Sequence, residues 1–290
     1  MSKGLIITDD GEIIEDAVYY TPEEYEARRK YFKNREKSDS IPDKYKSYFK
    51  KFITSFNNLD DLEAKTISRL MYLATYTSYD DNILKHDNGT VLKKKDIYKL
   101  LGLATNTCRN LMIELTSKGY IIETDKGYQI SKSVIHKGSD DERKLEDHER
   151  YTRIFIQAMR KMYLSVTASQ HKLLGYVFQM LPYVNIYHNI LCHNPFEKDI
   201  SKLKAINMIE FCRLLGLDDS NVTRFRKNSE KVLFEFRGIK QHFMCYVLSA
   251  EDENKNQGMI IVNPNILYNT NEINRMETIG IFYKHDKDNK

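Results

Sequence analysis

At 290 residues, with 41% hydrophobic and 30% charged content, the chain is long enough for two ordinary domains with a core in each, which excludes a wholly disordered polypeptide. No apolar run approaches bilayer-spanning length and the opening MSKGLIITDDGEIIED lacks the apolar core of an export signal, so the expectation is a cytoplasmic protein with no membrane partner. The formal charge of +4 is too mild to identify a nucleic-acid binder by itself, and the distribution of charge has to decide.

Residues 1–44 read as an N-terminal hairpin followed by a basic helical arm. Apolar pairs flank TDDG, whose Asp and Gly favour a tight turn. Next, Thr21 is placed to cap a helix, Pro22 suits its first position, and Glu23 and Glu24 complement its positive end. From Arg28 to Lys51 ten Lys or Arg face three acidic residues, with tyrosines and phenylalanines interleaved. Such a run either lies along phosphates or forms an amphipathic helix with a solvated face.

Residues 45–138 read as a first domain. Ile67, Leu70, Met71 and Ala74 form a helical stripe, and LLGLATNTCRNL at 100–111 reads as a helix end, a tight turn at Gly102 and a new helix from Thr105 to Lys118. Gly119 ends that helix, and YIIETDKGYQIS gives two short alternating strands around TDKG. Residues 139–150, nearly devoid of apolar side chains, read as a charged linker.

Residues 151–283 repeat the scheme. YTRIFI from Tyr151 matches YFKKFI from Tyr48 at an offset of 103, and Leu174, Val177, Phe178 and Leu181 match the first stripe at 107. LLGLDDSNVTRF, residues 214–225, matches at 114, and GMIIVNPNILYN matches GYQISKSVIHKG near 131. Each increase falls in an expected loop, as a duplication requires. The second turn is placed at Gly216, its helix from Ser220 to Phe236, and its hairpin over FMCYVLSAEDENKNQGMIIVN. The fold class expected is therefore mainly α with small β wings (α+β), as two tandem winged helix-turn-helix domains.

In that arrangement one helix is held at a fixed angle by its neighbour so that its outer face enters the major groove. The expected core anchors are Leu100, Leu103, Cys108, Leu111 and Leu115, with Leu214, Leu217, Val222, Phe225 and Ser229 as counterparts. Outward-facing side chains, and hence candidate DNA contacts, are Thr105, Asn106, Arg109 and Asn110, then Ser220, Thr223, Arg224, Arg226 and Lys227. Lys126 and Lys132 on the first wing are candidate phosphate contacts or ordinary surface lysines. Asp218 and Asp219 cap the second helix but would repel phosphate, so the second unit is expected to bind DNA less tightly or to face a protein.

The phosphate-cradling GxxxxGK, dinucleotide GxGxxG, zinc-protease HExxH and paired CxxC motifs are absent, and no enzyme activity or cofactor is expected. His188, Cys192 and His193 in HNILCH lack an evident fourth ligand, so packing or loop roles are preferred to a metal site. Cys108, Cys192, Cys212 and Cys245 are scattered, which suits thiols in or near cores better than a disulfide framework.

The segments KSYFKKFITSFNNLDDLEAKTISRLMYL, LLGLATNTCRNLMIELTSKGYI and YQISKSVIHKG, together with GMIIVNPNILYN in the second half, resemble in order parts of the winged-helix plasmid and phage replication proteins of the RepL type. The resemblance implies a non-catalytic protein of replication initiation or control that binds double-stranded DNA, with host replication or transcription proteins as further partners. Two units in one chain depart from that family's usual single domain. The leading expectation is thus a DNA-binding protein of a mobile element, in replication or transcription control. The rival is a winged-helix protein-interaction module, such as a phage-encoded adaptor or inhibitor of a host protein.

Overall fold

The computed structural model describes residues 2–7, 13–19, 26, 52–56, 59, 61–79, 81–137, 151–236, 238–247 and 258–268. The chain separates into two compact units, residues 1–47 and 48–290. The first contains the expected hairpin, β1 (Ser2–Ile7) antiparallel to β2 (Ile13–Tyr19), with a register shift between Gly4 and Ile6. The basic arm, apart from Glu26, the linker 139–150 and the terminal KHDKDNK lie outside the described residues.

The second unit is mixed α and β, with seven helices and small antiparallel sheets among its described residues. In chain order these are β3 (Phe52–Phe56), α1 (Ala64–Ala74), α2 (Lys94–Leu101), α3 (Thr105–Ser117), β4 (Ile121–Thr124), β5 (Gly127–Ile130) and β6 (Ile135–His136). There follow β7 (Tyr151–Phe155), α4 (Ile156–Ser165), α5 (His171–Gln179), α6 (Met208–Leu214), α7 (Val222–Ser229), β8 (Leu233–Phe236), β9 (Ile239–His242), β10 (Met244–Val247) and β11 (Met259–Val262). Among the described residues, no helix is long and apolar enough to cross a membrane.

The core forms where α1 lies against α5. Ile67, Leu70, Met71 and Ala74 are buried as their 3.6-residue spacing requires, and so are Leu174, Val177, Phe178 and Leu181. The approach is closest at Gly175, where a Cβ would come 2.7 Å from the Ala64 Cα and nearer still to its carbonyl group. Arg160 on α4 ties the two halves of this unit. Its guanidinium donates to both Asp87 carboxylate oxygens (3.0 and 2.8 Å) and to Thr75 (2.9 and 2.8 Å), and lies 3.8 Å from the Tyr76 ring centroid.

Backbone devices recur between the halves. Among the described residues, the non-glycine residues with positive φ are Asn82 (53°) and Asn189 (55°), 107 positions apart, and both are fully buried. Asn82 Nδ2 donates to the carbonyls of Ile130 and Ile135, and Asn189 Nδ2 to those of Val262 and Leu267, acceptors that are 132 apart in each case. The bridges Thr77↔Leu84 and Ile83↔Gln129 have partners of the same kind in Val184↔Leu191 and Ile190↔Ile261. Each asparagine joins a strand-like segment to the strand and turn of its own half. Asn189→Gly keeps the permitted φ while removing the donor, and should cost about 2 kcal/mol; Asn189→Ala adds about 1 kcal/mol of left-handed strain. Urea midpoints of the two variants check both the loss and its order.

Register corrects the alignment at the first strand. β3 and β7 pair antiparallel about Thr54↔Arg153, and β6 closes the far edge of β3 through Thr54↔His136 and Ser55↔Ile135. On β7 the matching contacts are the bridge Ile154↔Leu267 and the Tyr268 N–H to Arg153 carbonyl bond. Ser55 thus corresponds to Ile154 at 99 residues, not the 103 expected from YFKKFI and YTRIFI, because α4 occupies additional chain before α5 in the second half. The sheet β6-β3-β7 and the hairpin β8-β9 make the β content larger than the expected wings alone.

Candidate nucleic-acid interface

The first helix pair begins at Lys93, whose backbone N–H is accepted by the Asp96 carboxylate at 2.9 Å. Ile97 and Leu101 turn inward from α2, and Gly102 then adopts φ 63° to end it. Cys108, Leu111, Met112 and Leu115 anchor α3, leaving Thr105, Asn106, Arg109 and Asn110 exposed as expected. The helix spans Thr105–Ser117 and Gly119 follows at φ 75°. β4 and β5 form the expected hairpin around Asp125 and Lys126, with Thr124 opposite Gly127. Lys126 at its tip and Lys132 beyond it are exposed.

The second pair uses the same local chemistry with different residues. Asn207 caps α6 through its side chain, and the Glu210 carboxylate accepts the Asn207 N–H at 3.2 Å. Gly216 adopts φ 67°, 114 positions after Gly102. Val222, Phe225 and Ser229 face inward as expected, and the Ser229 hydroxyl meets the phenol of Tyr246. Ser220, Thr223, Arg224 and Lys227 are exposed.

Three expectations in this region fail. Leu214 is 43% exposed and Leu100 is only half-buried, because the inward rows of α6 and α2 are Met208, Phe211, Cys212 and Ile97, Leu101; the second leucine of the first pair, not the first, is the anchor. Arg226 is not an outward contact. It lies half-buried beside the Phe225 and Ser229 row and pairs with Glu230 at 2.5 Å. Finally, the second helix is a short 3-10 turn, Asp219–Asn221, plus α7 ending at Ser229, since Val232 and Phe234 are buried where the chain has entered β8. The second hairpin pairs Met244–Val247 with Met259–Val262, and its loop 248–257 lies outside the described residues.

Charge separates the two faces. Lys93, at the N-cap of α2, and Lys94, Lys95 and Lys99 on it are exposed beside α3, a cluster not anticipated from sequence although KKK opens this helix. Lys94 and Lys95 stand in the first turn of α2, where the helix dipole disfavours cations, whereas Lys99 stands in its last turn, where the dipole favours them. Among the described residues neither these lysines nor Arg109 has an acidic side chain within ion-pair distance. In the second pair, by contrast, Arg213 makes a two-pronged contact to Asp219 (3.0 and 2.6 Å), which holds that carboxyl below the usual aspartate range. Asp219 is therefore neutralised from within, and Arg224 is bonded to the Asn221 side chain.

His188, Cys192 and His193 have separate contacts. His188 Nε2 meets the Lys198 carbonyl at 2.9 Å, Cys192 is buried and bridges backbone to Ala205, and His193 lies 4.0 Å from Glu210. Among the described residues no three His, Cys, Asp or Glu side chains converge. All four cysteines are free thiols, three buried and Cys245 half-buried; burial pushes Cys212 to about 11 and Cys245 to about 12. No family model, curated protein or solved structure matches the chain.

Proposed function

We propose that this chain is a DNA-binding protein of a mobile element, acting in replication initiation or control or in transcription regulation through two winged helix-turn-helix units. The observation that carries the reading is the α2–Gly102–α3 corner, which presents Thr105, Asn106, Arg109 and Asn110 to solvent beside an uncompensated lysine cluster and ahead of a β-hairpin. The recurrent asparagines, glycine corners and capping carboxylates support reading the second half as a copy of the first. The mobile-element role rests on the resemblance to the RepL-type proteins.

The second corner favours a different partner or a weaker grip, since ion pairs to Asp219 and Glu230 occupy two of its arginines. A protein-docking role for that half is the second reading.

Fluorescence anisotropy of full-length protein on random duplex, across a salt series, tests the proposal. Non-specific binding should weaken steeply with salt, and Lys93→Ala, Lys94→Ala and Lys95→Ala combined should flatten the log–log slope by about 0.9 for each phosphate no longer neutralised. Arg109→Ala should add to that flattening, and Arg224→Ala should change it less. Binding absent at low salt, or a slope indifferent to the lysines, would overturn the DNA reading and leave protein docking.

A further inference from the structure

Beside α3 lies a cleft of about 230 Å³ lined in part by Lys65, Thr66 and Arg69 from α1 and by Thr107, Asn110 and Glu114 from α3. Its charges are not equally satisfied. Glu63 at its rim pairs with Lys65 at 2.6 Å, and Glu114 accepts from the Thr66 hydroxyl at 3.1 Å and lies 3.7 Å from Lys118. Arg69 differs: it is only 7% exposed, and its one hydrogen bond is from Nε to His171 Nδ1 at 3.5 Å. Its terminal nitrogens have no hydrogen-bond or ion-pair partner among the described residues.

His171 cannot supply the missing counter-charge. Accepting from Arg69 requires a bare Nδ1, and so a neutral ring with its proton on Nε2. The Arg69 side chain is thus largely buried with no carboxylate within ion-pair distance among the described residues, and it lines the cleft. The planar guanidinium offers two parallel donors to any group with two adjacent oxygens, with the Thr107 hydroxyl and the Asn110 amide at the same opening.

We propose that this cleft is a binding site for a small oxyanion, a phosphoryl or carboxylate group, held by Arg69 and bridging α1 to α3. The site does not depend on the nucleic-acid reading, because it is tested without DNA. Occupied, it would fix the position of the helix that carries Arg109 against the core helix α1.

The melting temperature of the full-length protein is followed while sodium phosphate, and in a second arm sodium succinate, replaces sodium chloride at constant ionic strength. A saturable rise in one or both arms is expected, with saturable heat in calorimetry for the same anion, and the arm that responds identifies the oxyanion. Arg69→Met should abolish the response. In case that variant does not fold, Thr107→Glu places a carboxylate at the opening; it should raise the anion-free melting temperature and remove the anion response. A non-saturating response in wild type, no response in either arm, or an unchanged response in Thr107→Glu would overturn the proposal.

Discussion

Gly175→Ala is expected to destabilise the protein by about 4 kcal/mol, more than a single methyl ordinarily costs in a packed core. The reason is what the methyl meets. Most overpacked positions press on side chains that rotate away, whereas Gly175 faces the backbone of Ala64, and backbone at the first turn of α1 has no rotamer to change. Relief requires α5 to move off α1, which loosens the packing of Ile67, Leu70, Met71, Leu174 and Phe178, all buried. The gain in helix propensity from Gly to Ala, about 1 kcal/mol, offsets only part of this. Ser68 stands 107 positions earlier in α1, is fully buried, and bonds only the Lys65 carbonyl; Ser68→Ala is therefore the control and should cost about 1 kcal/mol. Equal urea midpoints for Gly175→Ala and Ser68→Ala would mean that α1 and α5 do not cross this closely.

The same crossing explains what sequence could and could not reveal. The stripes on α1 and α5, the glycine corners at 102 and 216, and the first hairpin are local patterns, set by a helical period or by one residue's access to positive φ. They were legible. The pairing of β3 with β7 was not, since it joins segments about 100 positions apart and neither strand carries a turn signal that would mark its partner. Nor was the anchor row of α2 and α6, because two adjacent leucines cannot both face inward on a helix and the spelling alone does not say which does. Asn82 and Asn189 each open a triplet NIL, but their φ and their two buried carbonyl acceptors come from tertiary packing, which no local spelling announces.

The candidate site divides in the same way. Exposure of Thr105, Asn106, Arg109 and Asn110 follows from the period that buries Cys108, Leu111 and Leu115. Whether a cation is available is a property of its neighbours, which is why Arg226 was misplaced and why Asp219 looked more repulsive than it is beside Arg213. The two corners each turn at a glycine of positive φ but differ in electrostatic character. One presents uncompensated lysines, and the other pairs much of its charge internally.

Stability between pH 6.5 and pH 4 should fall with a steepness set largely by His171. Its ring is buried 4.2 Å from the Tyr163 centroid, and Tyr163 stacks in turn on Tyr72 at 3.9 Å. Burial, with the adjacent Arg69 guanidinium as the smaller cause, lowers the imidazole from 6.5 to about 4. As pH falls below 6.5 the unfolded chain takes up a proton that the folded ring refuses, so folding stability declines until about pH 4, where the folded ring also titrates. The loss amounts to about 3 kcal/mol at its limit, at 1.36 kcal/mol for each unit of displacement. Carboxylates such as Asp219, held below the ordinary range by Arg213, lose their contribution at lower pH and do not imitate this window. His171→Gln retains an acceptor for Arg69 and removes the titration. It should be somewhat less stable than wild type at pH 7.5 yet show a much flatter decline down to pH 4 in urea midpoints. An unchanged decline would place the acid-sensitive group elsewhere.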